Sequence, residues 1–189
     1  MIQGYKLSYR VDIFYVFKNI CFSLQKGQAL LLYGPNGSGK SSFLRILGGY
    51  VGYYRDKYEN VTNDCIFLDF TKDLDQDLSV LEYVHFLGLL NNRSDFVECI
   101  LYKVGLISHK DKPIYLLSSG QKRRLYVAVL LISNKPIWLL DEPTTALDNV
   151  YVNRLSELVD EHLRDGGICV IATHAGLALR KFSLLRFKS

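Results

Sequence analysis

One segment with three glycines and a Lys-Ser pair constrains the fold of this chain more than any other part of its sequence. It covers residues 34–41 and fits the pattern G-x-x-x-x-G-K-[ST] at every fixed position. A continuous apolar run at 29–33 precedes the segment, and the apolar spacing at 41–47 predicts a helix after it. A buried strand, a glycine loop and a helix in this order are typical of a phosphate-binding loop, whereas a glycine-rich turn without a ligand needs neither flanking element.

The residue types in this loop suit a nucleotide triphosphate. Glycines allow the backbone to curl so that successive N–H groups point at phosphate oxygens, and the helix after the loop adds its positive N-terminal end. Lys40 is expected to reach the β- and γ-phosphates, and the Ser41 hydroxyl is expected to ligate Mg²⁺. The predicted ATP contacts in this segment are Gly34, Pro35, Asn36, Gly37, Ser38, Gly39, Lys40, Ser41 and Ser42.

A second apolar run, at 137–140, ends in two acidic residues, Asp141 and Glu142. Acidic residues at the carboxyl end of a central parallel strand lie in the ligand crevice of an α/β sheet. We expect Asp141 to hold Mg²⁺ through water and Glu142 to act as the general base on the attacking water. Two adjacent acids after a strand are otherwise often solvated loop charges, so this prediction depends on the phosphate loop in the same chain.

Strand and helix patterns alternate along most of the sequence, which predicts an α/β fold with a parallel sheet covered on both faces. Alternating residues at 5–9 and 20–24 predict antiparallel edge strands, and buried strands are expected at 65–70, 137–140 and 168–172. The segment 78–117 is helical in pattern and interrupts the alternation. We therefore expect one domain over 1–189, with a helical subdomain inserted at about 72–133.

The segment Leu117-Ser118-Ser119-Gly120-Gln121 stands before another predicted helix, at 121–132. Its serines can cap that helix and face a phosphate. With the phosphate loop and the acidic pair, it resembles the signature of the ABC ATPases, which reads LSGGQ in that family. The resemblance implies a P-loop NTPase fold with an ABC-type ATPase core, and ATP hydrolysis as the activity.

The same resemblance extends from about Tyr9 to His174 and implies further site residues. Tyr9 stands where the family stacks an aromatic ring on adenine, with Tyr5 as a competing candidate. His174 resembles the switch histidine that contacts the γ-phosphate, and 143–148 resembles the loop at the dimer seam. In the family, two subunits bind head to tail and enclose ATP and Mg²⁺ between the phosphate loop of one and the signature loop of the other. The implied contacts with ATP beyond the phosphate loop are Ser118, Ser119, Gly120, Gln121 and Asp148.

One position departs from the family pattern. A glutamine that touches magnesium and the membrane partner normally follows the strand that here is predicted at 65–70, and the corresponding position falls near Thr71. Threonine can bond a water molecule or a metal ion, but it reaches less far. Gln76 could substitute only if the loop were rearranged. Weakened hydrolysis, or weakened coupling to the membrane partner, is therefore expected.

Two longer stretches, at 34–49 and 137–148, are similar to the ATP-binding subunits of the cytochrome c maturation system. This resemblance implies integral membrane partners that handle haem, together with a periplasmic haem chaperone. It also implies a peripheral location on the cytoplasmic face of the inner membrane. Three alternatives stay open: another small ABC exporter, an ABC-type ATPase that acts on ribosomes, DNA ends or iron–sulfur assembly, and a nucleotide sensor that does not hydrolyse ATP.

Composition limits the kinds of partner that are expected for this chain. The longest apolar runs are far shorter than the roughly 18 to 20 residues that cross a bilayer, so attachment to a membrane is expected through partner proteins. The four cysteines form no C-x-x-C pair, so zinc binding is not expected. We expect the cysteines to be buried free thiols. A net charge of +4 selects no partner by itself. The basic run 122–124 is read as a solvated helix face, and no nucleic-acid binding is expected.

Overall fold

Two β-sheets and a layer of helices make up the described part of the chain. The computed structural model describes residues 1–51, 64–70, 74, 77–144, 149–174 and 177–187 of the 189 residues. The strands are β1 (Ile2–Val11), β2 (Phe14–Leu24), β3 (Ala29–Tyr33), β4 (Cys65–Asp69), β5 (Ile137–Asp141), β6 (Ile168–Ala172) and β7 (Ser183–Arg186). The helices are α1 (Lys40–Leu47), α2 (Val80–Leu90), α3 (Val97–Lys103), α4 (Ser119–Ser133) and α5 (Asn149–Arg164).

The larger sheet has the order β4-β5-β6-β3-β7, and every neighbouring pair in it is parallel. Successive residues of its central strands belong to different cores, one on each face of the sheet: Leu30 and Leu32 on one side, Leu31 on the other. Burial on both faces explains why these strands read as continuous apolar runs. Parallel strands end at a common edge, so β3, β4, β5 and β6 deliver the residues that follow them to one place. The predicted α/β fold is confirmed.

The antiparallel edge predicted at 5–9 and 20–24 is present as a longer hairpin, in which β1 and β2 form a sheet of their own. Phe17 of β2 is buried and packs edge-on against Phe43 of α1 and Phe187 after β7, with ring centroids 5.7 and 5.8 Å apart. The hairpin is thereby fixed beside the helix that follows the phosphate loop.

Between β4 and β5, the elements from Val80 to Ser133 are all α-helices or 3-10 turns, and they lie within the range 72–133 predicted as a helical subdomain. The segment 78–117 is not one helix, because Asn92 and Gly105 adopt positive φ values of 54° and 69° and end α2 and α3. Single 3-10 turns fill the intervals, at Ser94–Phe96, Ile107–His109 and Ile114–Leu116. None of the described helices combines the length and apolar character required to span a bilayer.

Strand β7 was not predicted, because it has four residues and most of them are exposed. It exists through its pairing with β3, in which Leu30 lies opposite Ser183 and Tyr33 opposite Arg186. The expectation of buried cysteines is half wrong: Cys65 and Cys169 are buried, but Cys21 and Cys99 are exposed. Burial raises the pKa of the Cys169 thiol.

Candidate functional site

The phosphate loop connects β3 to α1, and its conformation depends on glycine. Gly37 and Gly39 have φ values of +78° and +99°, which side chains rarely tolerate. A Cβ atom on Gly39 would also lie 2.5 Å from Cγ1 of Val16 in the β-hairpin. The hairpin therefore lies directly against the loop, and a larger residue at position 39 would separate them.

Lys40 is the first residue of α1 and is almost fully buried. Its Nζ donates hydrogen bonds to the carbonyl oxygens of Gly34 (2.8 Å) and Pro35 (2.9 Å), so the ammonium group is held inside the curve of the loop. The same nitrogen lies 3.5 Å from Nε2 of His174. The loop also contains a buried hydroxyl, Ser38 Oγ, that has no hydrogen-bond partner among the described residues. The loop thus gathers a fixed cation and an unsatisfied polar group where the sequence predicts phosphate.

Asp141 ends β5 beside the start of α1 and is 4% exposed. Burial raises the pKa of its carboxyl group, the hydrogen bond with the Ser41 hydroxyl opposes that rise, and the nearby Asp69 and Glu142 add to it. The Oδ1 atom of Asp141 has no hydrogen-bond partner among the described residues. A buried carboxylate oxygen of this kind fits a hard divalent cation, which binds oxygen ligands.

Glu142 follows in a left-handed conformation, with φ of +52°. Its amide N–H donates to the carbonyl oxygen of Ala172 at 2.8 Å, which fixes it against the end of β6. Its Oε1 lies 3.0 Å from Nε2 of His174. A non-glycine residue in this conformation is strained and is typical of functional sites. The predicted base and the predicted switch histidine are therefore brought together, next to Lys40.

A buried hydrogen bond supports this pair from behind. The hydroxyl groups of Thr144 and Thr173 are 2.9 Å apart, and both residues are less than 10% exposed. Thr144 lies two residues after Glu142, and Thr173 lies directly before His174. The bond therefore fixes the two segments that carry the predicted catalytic side chains.

The signature segment lies on the helical layer. Ser118 is the N-cap of α4: its Oγ accepts the amide N–H of Gln121 at 3.2 Å, and the Gln121 Oε1 accepts the Ser118 N–H at 2.9 Å. Ser118 and Ser119 are exposed, and a Cβ atom added to Gly120 would meet no other atom within 4 Å. In the described part of the chain, no hydrogen bond joins residues 118–121 to the phosphate loop of the same chain.

The two candidates for the adenine platform differ in surroundings. Tyr9 is half-buried, and its ring centroid is 6.0 Å from that of Phe17, whose ring approaches Gly39 of the loop. Tyr5 is 61% exposed and stands four residues away along β1. The geometry favours Tyr9 because it is the tyrosine connected to the loop by packing.

Three predicted positions, Thr71, Gln76 and Asp148, lie outside the described residues.

Sequence reasoning missed Asp69, which ends β4 opposite Asp141 and is bound by Arg45 of α1 at 3.5 Å. A signal was available, because an aspartate stands at the end of both strand patterns.

The basic run after the signature segment differs from the predicted solvated face. Arg123 and Arg124 are half-buried, with their guanidinium carbons 5.8 and 4.6 Å from the ring centroids of Tyr126 and Tyr151. Burial lowers the pKa of Arg123. That the chain binds neither nucleic acid nor zinc stays a prediction.

Comparison with known proteins gives one consistent result. The sequence pattern of the family described as "ABC transporter" matches residues 17–145. A "Cytochrome c biogenesis ATP-binding export protein CcmA" from Reclinomonas americana is 34% identical over 184 residues, covering 90% of this chain and 83% of the relative. The protein of the same name from Mesorhizobium japonicum is 39% identical over 174 residues, covering 87% of each.

Among solved structures, the dimeric structure of a bacterial ABC transporter cassette superimposes with a TM-score of 0.85. It covers all of this chain and 94% of the solved chain, at 24% sequence identity. At that identity the likeness shows the fold alone.

Proposed function

The chain belongs to the ABC transporter family as an ATP-hydrolysing subunit, and we propose that it powers the haem-handling export complex of cytochrome c biogenesis. One observation carries the ATPase part: at the phosphate loop, His174 lies within hydrogen-bonding reach of both Glu142 and Lys40. The names of the two relatives and their similarity over most of both chains support the export part.

The roles proposed for the site residues rest on the family resemblance, and the geometry of the site supports them. The loop amides and Lys40 bind the phosphates, and Lys40 then exchanges the carbonyl oxygens of Gly34 and Pro35 for phosphate oxygens. Glu142 accepts a proton from the attacking water as the general base. His174 holds the Glu142 carboxylate and donates a hydrogen bond to the γ-phosphate. Tyr9 stacks on adenine.

Ser41 and Asp141 fit a magnesium ion, because a hydroxyl and a buried carboxylate with an unsatisfied oxygen converge beside the loop. When bound, the ion neutralises negative charge on the phosphates. Burial raises the pKa of Asp141, and a bound cation would stabilise the ionised form of this carboxylate.

We propose a head-to-tail dimer as the working unit. The signature residues Ser118, Ser119 and Gly120 are exposed or half-exposed and make no bond to the loop of their own chain. A partner subunit can present the same segment to the ATP bound at this loop, as the helix N-terminus favours an anion. The dimeric assembly of the solved cassette is consistent with this arrangement.

Two capping boxes among the described residues provide a matched test of the signature segment. Ser118 caps α4 and Ser79 caps α2 in the same way, with Gln121 and Glu82 as the reciprocal partners. Each Ser→Ala change is expected to lower the free energy of unfolding by about 1 kcal/mol. Only Ser118→Ala should also weaken ATP-dependent dimerisation, measured by light scattering. Equal effects of the two changes on dimerisation would contradict a ligand-facing role for Ser118.

The export role predicts a phenotype in the cells that express this chain. Depletion of the protein is expected to abolish covalently bound haem in c-type cytochromes, detected by haem-dependent peroxidase staining of denaturing gels. The wild-type chain should restore the stain and Glu142→Gln should not. The protein should also sediment with membranes through its integral membrane partners, on the cytoplasmic face. Normal c-type cytochromes after depletion would contradict this role and favour another small ABC exporter or a non-transport ATPase.

A further inference from the structure

A second aspartate stands beside the predicted magnesium ligand. Asp69 ends β4 directly opposite Asp141 in the parallel pairing of β4 with β5. Paired residues of neighbouring strands point to the same face of a sheet. Alternate residues of each strand share that face, and those before the two aspartates pack in the core that contains α1: Cys65, Phe67, Ile137 and Leu139. Helix α1 therefore covers the face to which Asp69 and Asp141 belong. The side chain of Asp69 is 9% exposed. Two carboxylates are therefore held together beside the helix that carries Ser41.

From this placement we propose that Asp69 is a further ligand of the magnesium site, bound to the ion through a water molecule. The proposal rests on the ATPase function proposed above. In the family, a glutamine after this strand supplies an oxygen to the ion. This chain has Thr71 near that position. Asp69 would supply an oxygen in its place. Mg²⁺ keeps several of its waters in proteins and needs only one or two carboxylates besides the phosphates, so a carboxylate in this position can act through water.

The carboxylates of Asp69 and Asp141 lie in a poorly hydrated place. The guanidinium group of Arg45 is paired with Asp69, and that of Arg123 also interacts with Asp69 electrostatically. The Arg45 Nη2–Asp69 Oδ2 distance of 3.5 Å is at the outer limit of a hydrogen bond, and the Arg45 side chain is 38% exposed. Two neighbouring carboxylates repel each other when both are ionised. A divalent cation between the strand ends and Ser41 removes this repulsion.

An independent observation points to a ligand here. Asp141 is only 4% exposed, and its Oδ1 has no hydrogen-bond partner among the described residues. An unsatisfied buried carboxylate oxygen costs free energy unless something binds it. A cation held by Ser41 and Asp141 satisfies this oxygen, and Asp69 lies opposite Asp141 in the strand pairing.

The test compares Asp69→Asn with Arg45→Met, using Mn²⁺ as the probe in the presence of saturating ADP. Binding is followed by the electron paramagnetic resonance signal of free Mn²⁺, a readout that needs no turnover. Asp69→Asn is expected to weaken Mn²⁺ binding roughly ten-fold, the lower end of the effect of losing an outer-shell ligand. Arg45→Met removes the ion pair but keeps the carboxylate, so Mn²⁺ should bind at least as tightly as to the wild type.

Unchanged Mn²⁺ affinity in folded Asp69→Asn would overturn the proposal, as would equal weakening in both variants, which is the result for a purely structural ion pair. Circular dichroism and ADP binding in the presence of EDTA verify that each variant is folded. If Asp69→Asn does not fold, Asp69→Glu replaces it, and Mn²⁺ affinity must then change while that of Arg45→Met does not. Failure of the wild type to bind Mn²⁺ with ADP would contradict the proposed metal-dependent function itself, which separates the two failures.

Discussion

Glu142→Gln is expected to reduce phosphate release by roughly 10²- to 10⁴-fold while ATP stays bound, the range for loss of a general base. The amide keeps the size of the carboxylate and can still hydrogen-bond His174, whose Nε2 lies 3.0 Å from Glu142 Oε1. It cannot accept the proton of the attacking water at neutral pH. The backbone strain at φ of +52° is retained, so the position of the side chain is preserved.

The measurement is steady-state phosphate release together with binding of a fluorescent ATP analogue. Glu157→Gln is the matched control, because Glu157 is an exposed carboxylate on α5, and its substitution should leave both quantities unchanged. Because the Glu142→Gln variant binds ATP without hydrolysing it, it should also accumulate as an ATP-bound dimer. A variant that retains more than about a tenth of wild-type turnover would exclude Glu142 as the general base.

Lys40→Met is expected to weaken ATP binding by roughly ten- to hundred-fold, the range for loss of a charge-assisted hydrogen bond. Methionine keeps most of the apolar stem of lysine but removes the ammonium group. In the structure this group is already inside the loop, bonded to the Gly34 and Pro35 carbonyl oxygens. The loss should therefore appear in affinity for the triphosphate, and binding of adenosine should change little.

The control for this change is Lys181→Met. Lys181 is exposed and precedes β7, whose first residue pairs with Leu30 near the start of β3, so it lies at the opposite end of the sheet from the loop. Isothermal titration with ATP and with adenosine gives the two affinities. Equal loss of affinity for both ligands in Lys40→Met would indicate a disturbed fold, and unchanged ATP affinity would contradict the proposed role.

Local patterns were sufficient to predict the elements that carry the site. The phosphate loop is recognisable because glycine at positions 37 and 39 and lysine at 40 are each required by a local geometry. The buried strands β3, β5 and β6 were predicted almost to the residue because burial on both faces leaves an uninterrupted apolar run. The acids after β5 could then be assigned to the ligand edge of the sheet.

Features that depend on distant contacts could not be predicted in this way. Strand β7 has little apolar pattern and owes its conformation to the ladder with β3. The pairing of Asp69 with Asp141 requires the strand order, which places β4 next to β5 although the whole helical insertion separates them in sequence. The sequence pattern predicted a solvated helix face for the arginines after the signature segment. In the structure, Tyr126 of α4 and Tyr151 of α5 pack against Arg123 and Arg124.

The most direct test of the ATPase assignment is phosphate release by the purified wild-type chain, with ATP and Mg²⁺, as a function of protein concentration. Because each ATP is proposed to lie between two copies, turnover per subunit should rise with concentration to a plateau and disappear in Glu142→Gln. Bound ATP with no phosphate release at any concentration, in the presence or absence of co-expressed membrane partners, would contradict the assignment and leave a nucleotide-gated switch.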